Sequence, residues 1–257
     1  MYTLGNPLKY TDPSGHCVVT VALLVGGTAL LADWLVQYSQ NRQAGLSFWE
    51  ATAHENLDKG ELATAGAIGT VGGLMLAASA PLVAAGGTGA VVGQMGLQAG
   101  SGMLGSGGGY LASSYVSGRP TTAEELYGVS AIGGAAGGIN GLFPGIGASM
   151  LIQGTSARLQ YEVLADQPSV EGARLAWGLG AVGGAASSMI SSQLQAASPY
   201  FNGRYNPPAV SQYIAPRLAA ETMQYRMADI AVFTGADFLQ TFGTAVGPDI
   251  LNSILAR

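Results

Sequence analysis

Long stretches of this chain contain no charged residue, and short polar segments separate them. The charge-free stretches are 62–118, 126–157 and 175–203. A helix at the surface of a soluble protein normally carries a charged or polar outer face. Helices in these stretches must therefore be buried in protein, lie in lipid, or meet water only through Ser, Thr and Gln. The side chains available for such a weakly polar face include Gln94, Gln98, Ser101, Gln193 and Gln195.

The stretch 17–36 is the most apolar part of the chain, and Asp33 is its only charge. About 20 apolar residues are enough to cross the hydrocarbon core of a bilayer. A secretory signal peptide is disfavoured, because a Pro-containing segment precedes the stretch and no clear small-residue cleavage site follows it. Two interpretations stay open: a membrane span and a buried core helix.

Glycine recurs at three- and four-residue spacing in several of the charge-free stretches. Residues at this spacing share one side of a helix. Glycine there lets two helix backbones approach closely, which offsets its cost of about 0.5–1 kcal/mol relative to Ala. The predicted helix-packing positions are Gly66, Gly69, Gly73, Gly89, Gly93, Gly96, Gly100, Gly133, Gly137, Gly141, Gly145, Gly180 and Gly184. The run 105–109, with four glycines in five residues, fits a flexible glycine-rich loop.

Helix start signals place the elements along the chain. Ser47 and Thr122 each precede a Glu by three residues, as in a capping box. Further N-cap candidates are Ser169 and either Asn56 or Asp58. Helix ends are expected near 81, 118 and 144, at Pro or Gly. The predicted helices are 17–41, 47–57, 60–79, 88–116, 122–142, 146–165, 169–196 and 211–243.

These elements predict an all-α fold, a Gly/Ala-rich helical bundle of glycine-zipper helical hairpins, with almost no strand. The predicted organisation has three parts. Residues 1–16 precede the bundle, residues 17–197 form it, and residues 198–257 are a linker with a C-terminal helical tail. Within the bundle, helix 17–41 is followed by the hairpins 60–118 and 122–197.

Composition narrows the classes of function. The sequence pI is about 4.9 and the net charge is −5, so no basic face for nucleic acid is expected. Charged residues make up 10% of the chain, well below the usual quarter, and hydrophobic residues make up 48%, which disfavours disorder. Cys17 is the single cysteine, which excludes an internal disulfide and disfavours a thiolate metal cluster.

No catalytic constellation is evident. His54 shares a predicted helical face with Glu50 and Asp58, but this stripe is interpreted as a solvated surface rather than a metal site. Cys17 is interpreted as structural. The chain contains no Walker loop, zinc-ligand spacing or nucleophile elbow. We therefore predict no metal, no cofactor and no enzymatic activity.

The first fifteen residues carry a recognisable pattern. The spacing Tyr2-x-x-x-Asn6-Pro7-x-x-Tyr10-x-Asp12-Pro13-x-Gly15 resembles the closing motif of the Rhs/YD-repeat core of bacterial polymorphic toxins. In that family the motif's aspartate belongs to a self-cleaving aspartyl site, and Asp12 is the matching position. The family usually has Leu after the final Gly, where this chain has His16. A second carboxylate, needed to share the proton, is expected upstream in the shell.

The resemblance implies that the chain is the variable C-terminal region of an Rhs-type toxin. It also implies an upstream Rhs shell, a cognate immunity protein, and secretion or delivery to a target cell. The charge-free hairpins favour membrane insertion, or help in carrying a toxin tail across a membrane, with lipid as a conditional partner. Two alternatives are a soluble packing module inside the shell and a degenerate or novel enzyme in the tail.

Overall fold

A computed structural model describes residues 16–85, 87–143 and 145–197, and in these ranges it contains seven α-helices and no strand. The all-α prediction is therefore confirmed. The helices are α1 His16–Gln43, α2 Phe48–Thr52, α3 Lys59–Ala85, α4 Gly87–Ser117, α5 Ala123–Leu142, α6 Ile146–Leu164 and α7 Val170–Ala197. The predicted tail helix 211–243 and the segment containing Asp12 lie outside the described residues.

The six long helices run up and down, each antiparallel to the next long helix along the chain. Along the α1–α3 pair, Gly73 lies against Val25 near one end, and Asp58 meets Gln37 near the other. The α3–α4, α4–α5 and α6–α7 pairs pack equally tightly, and α5–α6 packs more loosely. Alternation of direction brings the loops 44–58, 118–122 and 165–169 to one end of the bundle.

We call this end the charged end. On every described helix that carries Asp, Glu, Lys or Arg, these residues lie in the half nearest the charged end. The opposite end contains the start of α1 and the α3–α4 and α5–α6 junctions. The described residues at that end carry no Asp, Glu, Lys or Arg. The bundle is therefore polarised along its axis.

Local capping chemistry starts the helices where the sequence predicted. Ser47 and Glu50 form a full capping box at α2, in which each residue's side chain accepts from the other's backbone N–H. The Thr122 hydroxyl accepts from the Glu125 N–H at α5. The carboxylate of Asp58 caps α3, and the hydroxyl of Ser169 caps α7. These side chains satisfy N–H groups that have no partner inside the helix.

Two predicted helix boundaries are wrong. α3 does not end near Pro81 but continues to Ala85, so the proline stands within its final turns. α2 ends at Thr52 instead of 57. His54 therefore lies in a turn and does not share a helical face with Glu50 and Asp58.

The run 105–109 is helical, which contradicts its interpretation as a flexible loop. It lies inside α4, and Gly105, Ser106, Gly107 and Gly109 are buried. A Cβ on Gly107 would stand 2.5 Å from the Ser130 hydroxyl of α5. Close packing on α5 therefore stabilises a segment whose intrinsic helix propensity is poor.

Candidate functional site

Most of the predicted helix-packing glycines of α3 and α4 lie against a neighbouring helix, some facing its backbone and others its side chains. A Cβ on Gly69 would lie 2.8 Å from the Val25 carbonyl oxygen of α1, and one on Gly73 would lie 2.8 Å from the Val25 Cβ. Gly66 faces Leu30 at an ordinary contact distance. On α4, Gly96 and Gly100 face α3, where Gly100 stands against the Gly72 carbonyl. Side chains would separate these helices.

The glycines of α5 face α4. Added Cβ atoms on Gly133 and Gly137 would come closer than 3.0 Å to backbone atoms of α4, and one on Gly141 would stand 3.0 Å from the Met95 Cα. This α4–α5 interface joins the two hairpins that the sequence analysis treated as separate units. On α7, Gly180 and Gly184 face the α6 backbone in the same way.

Two predicted packing positions do not fit this pattern, and a third is buried. Gly145 lies in the loop before α6 with φ +143°, and a Cβ there would meet nothing within 4 Å, so its assignment as a packing residue is wrong. The four-residue spacing continued past the end of α5, where the chain leaves the helix. Gly89 has only the Leu82 carbonyl near it, at 3.8 Å, and Gly93 is buried in α4.

A buried carboxyl pair that the sequence analysis did not identify connects α1 to α3. Asp33 is 0% exposed and Glu61 is 1% exposed. The amide nitrogen of Gln37 donates to Asp33 Oδ2 at 2.9 Å and lies 3.3 Å from Glu61 Oε2. The Gln37 amide oxygen accepts from the Asp58 N–H at 2.8 Å. One glutamine thus bridges both carboxyl groups and the start of α3.

The bridge at Gln37 gives a test of this cluster. Gln37→Leu would leave two buried carboxyl groups and one backbone N–H without this partner, at about 1–3 kcal/mol for each unsatisfied group. We expect a net loss of about 3 kcal/mol or more in the free energy of unfolding, measured by denaturant titration. Gln43→Leu is the matched control, because Gln43 is exposed on the same helix. Equal stability of both variants would contradict the bridging role.

A second polar cluster ties α4 to the start of α5 at the charged end. The Tyr110 hydroxyl donates to Glu125 Oε2 at 2.6 Å and accepts from the Thr122 N–H at 3.0 Å. Arg119 pairs with the other oxygen of Glu125. These contacts close the α4–α5 turn, so we interpret the cluster as structural.

A small apolar core includes Leu111, Leu126 and Val129, but elsewhere the distribution of side chains between the inside and the outside of the bundle is inverted relative to a soluble protein. Many buried residues are small or polar, whereas large aliphatic residues face outward. Buried polar residues include Ser101, Ser106, Ser113, Ser130, Gln153 and Gln160. Exposed aliphatic residues include Leu23, Leu24, Leu31, Leu35, Val71, Leu74, Leu151 and Val182. Soluble bundles show the opposite arrangement.

The expected weakly polar surface is not found on α4. Ser101 is buried, and Gln94 and Gln98 are half-buried, while the side chains of Gln193 and Gln195 lie outside the described set. On α1, only 17% of the most apolar window is buried. Leu24 is 65% exposed and Leu31 is 60% exposed. The buried-core interpretation of 17–36 therefore does not describe α1 in this bundle.

Two described helices are long and apolar enough to cross a bilayer: Val18–Gln43 of α1 and Lys59–Ser79 of α3. They pack on each other as an antiparallel pair. Length and composition are thus compatible with membrane association.

A row of four aromatic rings extends the outward face of α1 at the charged end. Trp34 stacks on Tyr38 at 5.7 Å, Tyr38 meets Phe48 edge-on at 5.9 Å, and Phe48 meets Trp49 edge-on at 5.1 Å. We call these four residues the aromatic ladder. Beside them, hydrogen bonds from the side chain and the backbone N–H of Ser47 hold the pKa of Glu50 below its usual range.

A cleft of about 710 Å³ opens between α6 and α7, with Arg158, Arg174 and Trp177 in its wall. Arg158 is paired with Glu162 at 2.8 Å. Within the described part of the chain, no cluster of His, Cys, Asp and Glu has the geometry of a metal site. The outward aliphatic face of α1 and the aromatic ladder are therefore the candidate functional surface.

Family models, curated proteins and solved structures were each compared with the chain, and none of the three comparisons gives a match.

Proposed function

We propose that this chain acts on a membrane: α1 and α3 insert into a lipid bilayer as an antiparallel pair, and the rest of the bundle follows or stays docked on them. The inverted arrangement of side chains carries the proposal. Lipid removes the hydrophobic penalty from outward Leu and Val, and helices in lipid associate through Gly, Ala and Ser faces and interhelical polar contacts. The α1–α3 interface is of this kind, with Gly26, Ala29 and Gly69 in close contact.

The polarity of the bundle along its axis supports insertion from one direction. Described Asp, Glu, Lys and Arg residues lie toward the charged end, so the opposite end can enter hydrocarbon without carrying one of these groups through it. Hydrogen bonds inside each helix satisfy the backbone, as lipid requires. Asp33 and Glu61 are shielded between α1 and α3 near the charged end.

We further propose that the chain belongs to the variable C-terminal region of an Rhs-type polymorphic toxin, on the strength of the motif at 2–15. In that setting a shell would deliver it to a target cell and an immunity protein would protect the producer. The bundle would permeabilise the membrane itself or assist passage of residues 198–257. Neither action requires a catalytic residue.

Vesicle flotation of the full-length chain tests the proposal. The chain is mixed with phosphatidylcholine–phosphatidylglycerol vesicles containing a self-quenched dye, and both co-flotation and dye release are measured. We expect the chain to float with the vesicles and to release dye, whereas a soluble helical protein of similar size does neither. A chain that stays in the aqueous phase beside intact vesicles would instead favour the soluble packing module.

A further inference from the structure

We propose that the aromatic ladder lies at the boundary between hydrocarbon and headgroups and so sets the depth to which α1 and α3 enter the bilayer. The inference rests on the proposed membrane function and adds the position of the membrane surface. Trp and Tyr favour this boundary because their rings combine an apolar body with a polar group.

The ladder continues the surface that faces lipid in the proposal. Leu24, Leu31 and Tyr38 follow one another at seven-residue spacing, which keeps them on one side of α1. Phe48 and Trp49 then extend this side beyond Tyr38, and Trp49 is 79% exposed. The aliphatic part of the surface therefore passes directly into an aromatic part.

The distance along α1 matches the thickness of a bilayer. From Val18, where the apolar segment begins, to Tyr38 is about 30 Å at 1.5 Å per residue. The hydrocarbon core of a typical bilayer is also about 30 Å thick. With the ladder at one boundary, the start of the segment reaches the other.

Polar groups lie where this placement puts water. Arg42 is exposed one turn beyond Tyr38, and its guanidinium donates to the Leu46 carbonyl. Glu50 is exposed, and its carboxylate accepts a hydrogen bond from the Ser47 N–H at 2.9 Å. The charged groups on the α1–α2 connection thus begin just past the ladder.

The short helix that carries two of the rings is fixed to α1. The Asn41 side-chain amide donates to the Ala51 carbonyl at 3.2 Å and to the Asn56 carbonyl at 2.9 Å. Ala51, a residue of α2, is fully buried. Phe48 and Trp49 are therefore presented by a braced element, and their exposure is a fixed feature of the surface.

Depth-dependent fluorescence quenching tests the placement. In one full-length variant, Trp34→Phe and Trp177→Phe leave Trp49 as the only tryptophan. In a second, all three native tryptophans are replaced by Phe and Leu31→Trp adds a probe on the outward face of α1, about 10 Å along the helix from Tyr38. Vesicles carry bromine either near the headgroup or near the chain ends. We expect shallow bromine to quench Trp49 more strongly, and deep bromine to quench the Leu31→Trp probe more strongly.

Affinity gives a second measurement. Trp49→Ala should weaken vesicle partitioning about tenfold, as expected for removing a ring that is partly transferred from water. Trp49→Phe should restore most of the affinity, and both variants should keep the thermal midpoint of the parent because the ring is exposed. Co-flotation without a depth difference, or with Trp49 quenched only by aqueous iodide, would overturn the ladder's role alone. Absence of co-flotation of the parent chain would overturn the membrane function and the ladder's role together.

Discussion

Gly137→Ala is expected to destabilise the bundle by about 2–3 kcal/mol, and Gly137→Leu by about 3 kcal/mol or more. A Cβ on Gly137 would stand 2.7 Å from the Gln98 carbonyl carbon and closer still to its oxygen. Both atoms belong to the backbone of α4, so no side-chain rotation can make room. α5 must move away from α4, and the contacts at Gly133 and Gly141 weaken with it.

The expected sign follows from two opposing effects. Replacing a helical glycine by alanine or leucine gains up to about 1 kcal/mol in helix propensity. The backbone overlap at Gly137 costs more than this, so the net change is a loss. At about 2–4 °C per kcal/mol for a chain of this size, the thermal midpoint of Gly137→Ala should fall by roughly 4–12 °C.

The neighbouring glycine supplies the matched control. Gly138 is on the same helix, but a Cβ there would make an ordinary contact of 3.5 Å with the Ala99 Cβ. Gly138→Ala should therefore leave the thermal midpoint unchanged or raise it slightly. A Gly137→Ala variant as stable as Gly138→Ala would show that α4 and α5 do not pack backbone to backbone.

Local chemistry explains why helix positions could be predicted from the sequence. Ser47, Asp58, Thr122 and Ser169 each accept from a backbone N–H at most three residues ahead, so the signal and its partner lie close together in the chain. The helix that packs against a glycine face cannot be identified from nearby residues in this way. Spacing places Gly133 and Gly137 on one side of α5, but only the folded chain brings α4 to that side.

Contacts inside the bundle join residues that are distant in sequence, so the sequence analysis could not predict them. Gln37 forms hydrogen bonds with Asp58 and Glu61, which are more than twenty positions away. The sequence around Gln37 gives no signal for these partners. Similarly, Gly107 packs closely against Ser130 on α5, and this contact is not visible in the loop-like composition of 105–109. Propensity and spacing alone therefore missed the carboxyl pair and misassigned the glycine run.

The outward face of α1 could have been recognised from residue size. Ala22, Gly26, Ala29 and Asp33 recur at three and four residues and form the side that packs on α3 or is buried there. Leucines such as Leu24 occupy the other side. Hydrophobicity does not separate these faces, because both are largely apolar, but side-chain volume does. In helices that pack through small residues, the larger side chains mark the surface left for lipid.

Placing a charge on this face should weaken membrane association while leaving the fold intact. We expect Leu24→Asp to weaken vesicle partitioning by more than about tenfold, because exchanging Leu for Asp costs about 3 kcal/mol at the middle of a membrane helix and less at Leu24, about 9 Å along α1 from Val18. Leu24 is 65% exposed in the bundle, so the thermal midpoint in buffer should stay within a few degrees of the parent.

The Gln43→Asp variant distinguishes the effect of a charge on the outward face of α1 from the effect of a change in net charge. The substitution adds the same negative charge to the same helix, so repulsion from anionic lipid rises equally. Gln43 lies beyond the aromatic ladder at the charged end, on the side that the proposal leaves in water. The partitioning of the Gln43→Asp variant into vesicles should therefore match that of the parent chain. If both variants lost affinity equally, electrostatic attraction rather than burial of α1 would govern binding. If neither lost affinity, α1 would not enter the hydrocarbon, and the inverted surface would need a protein partner to cover it.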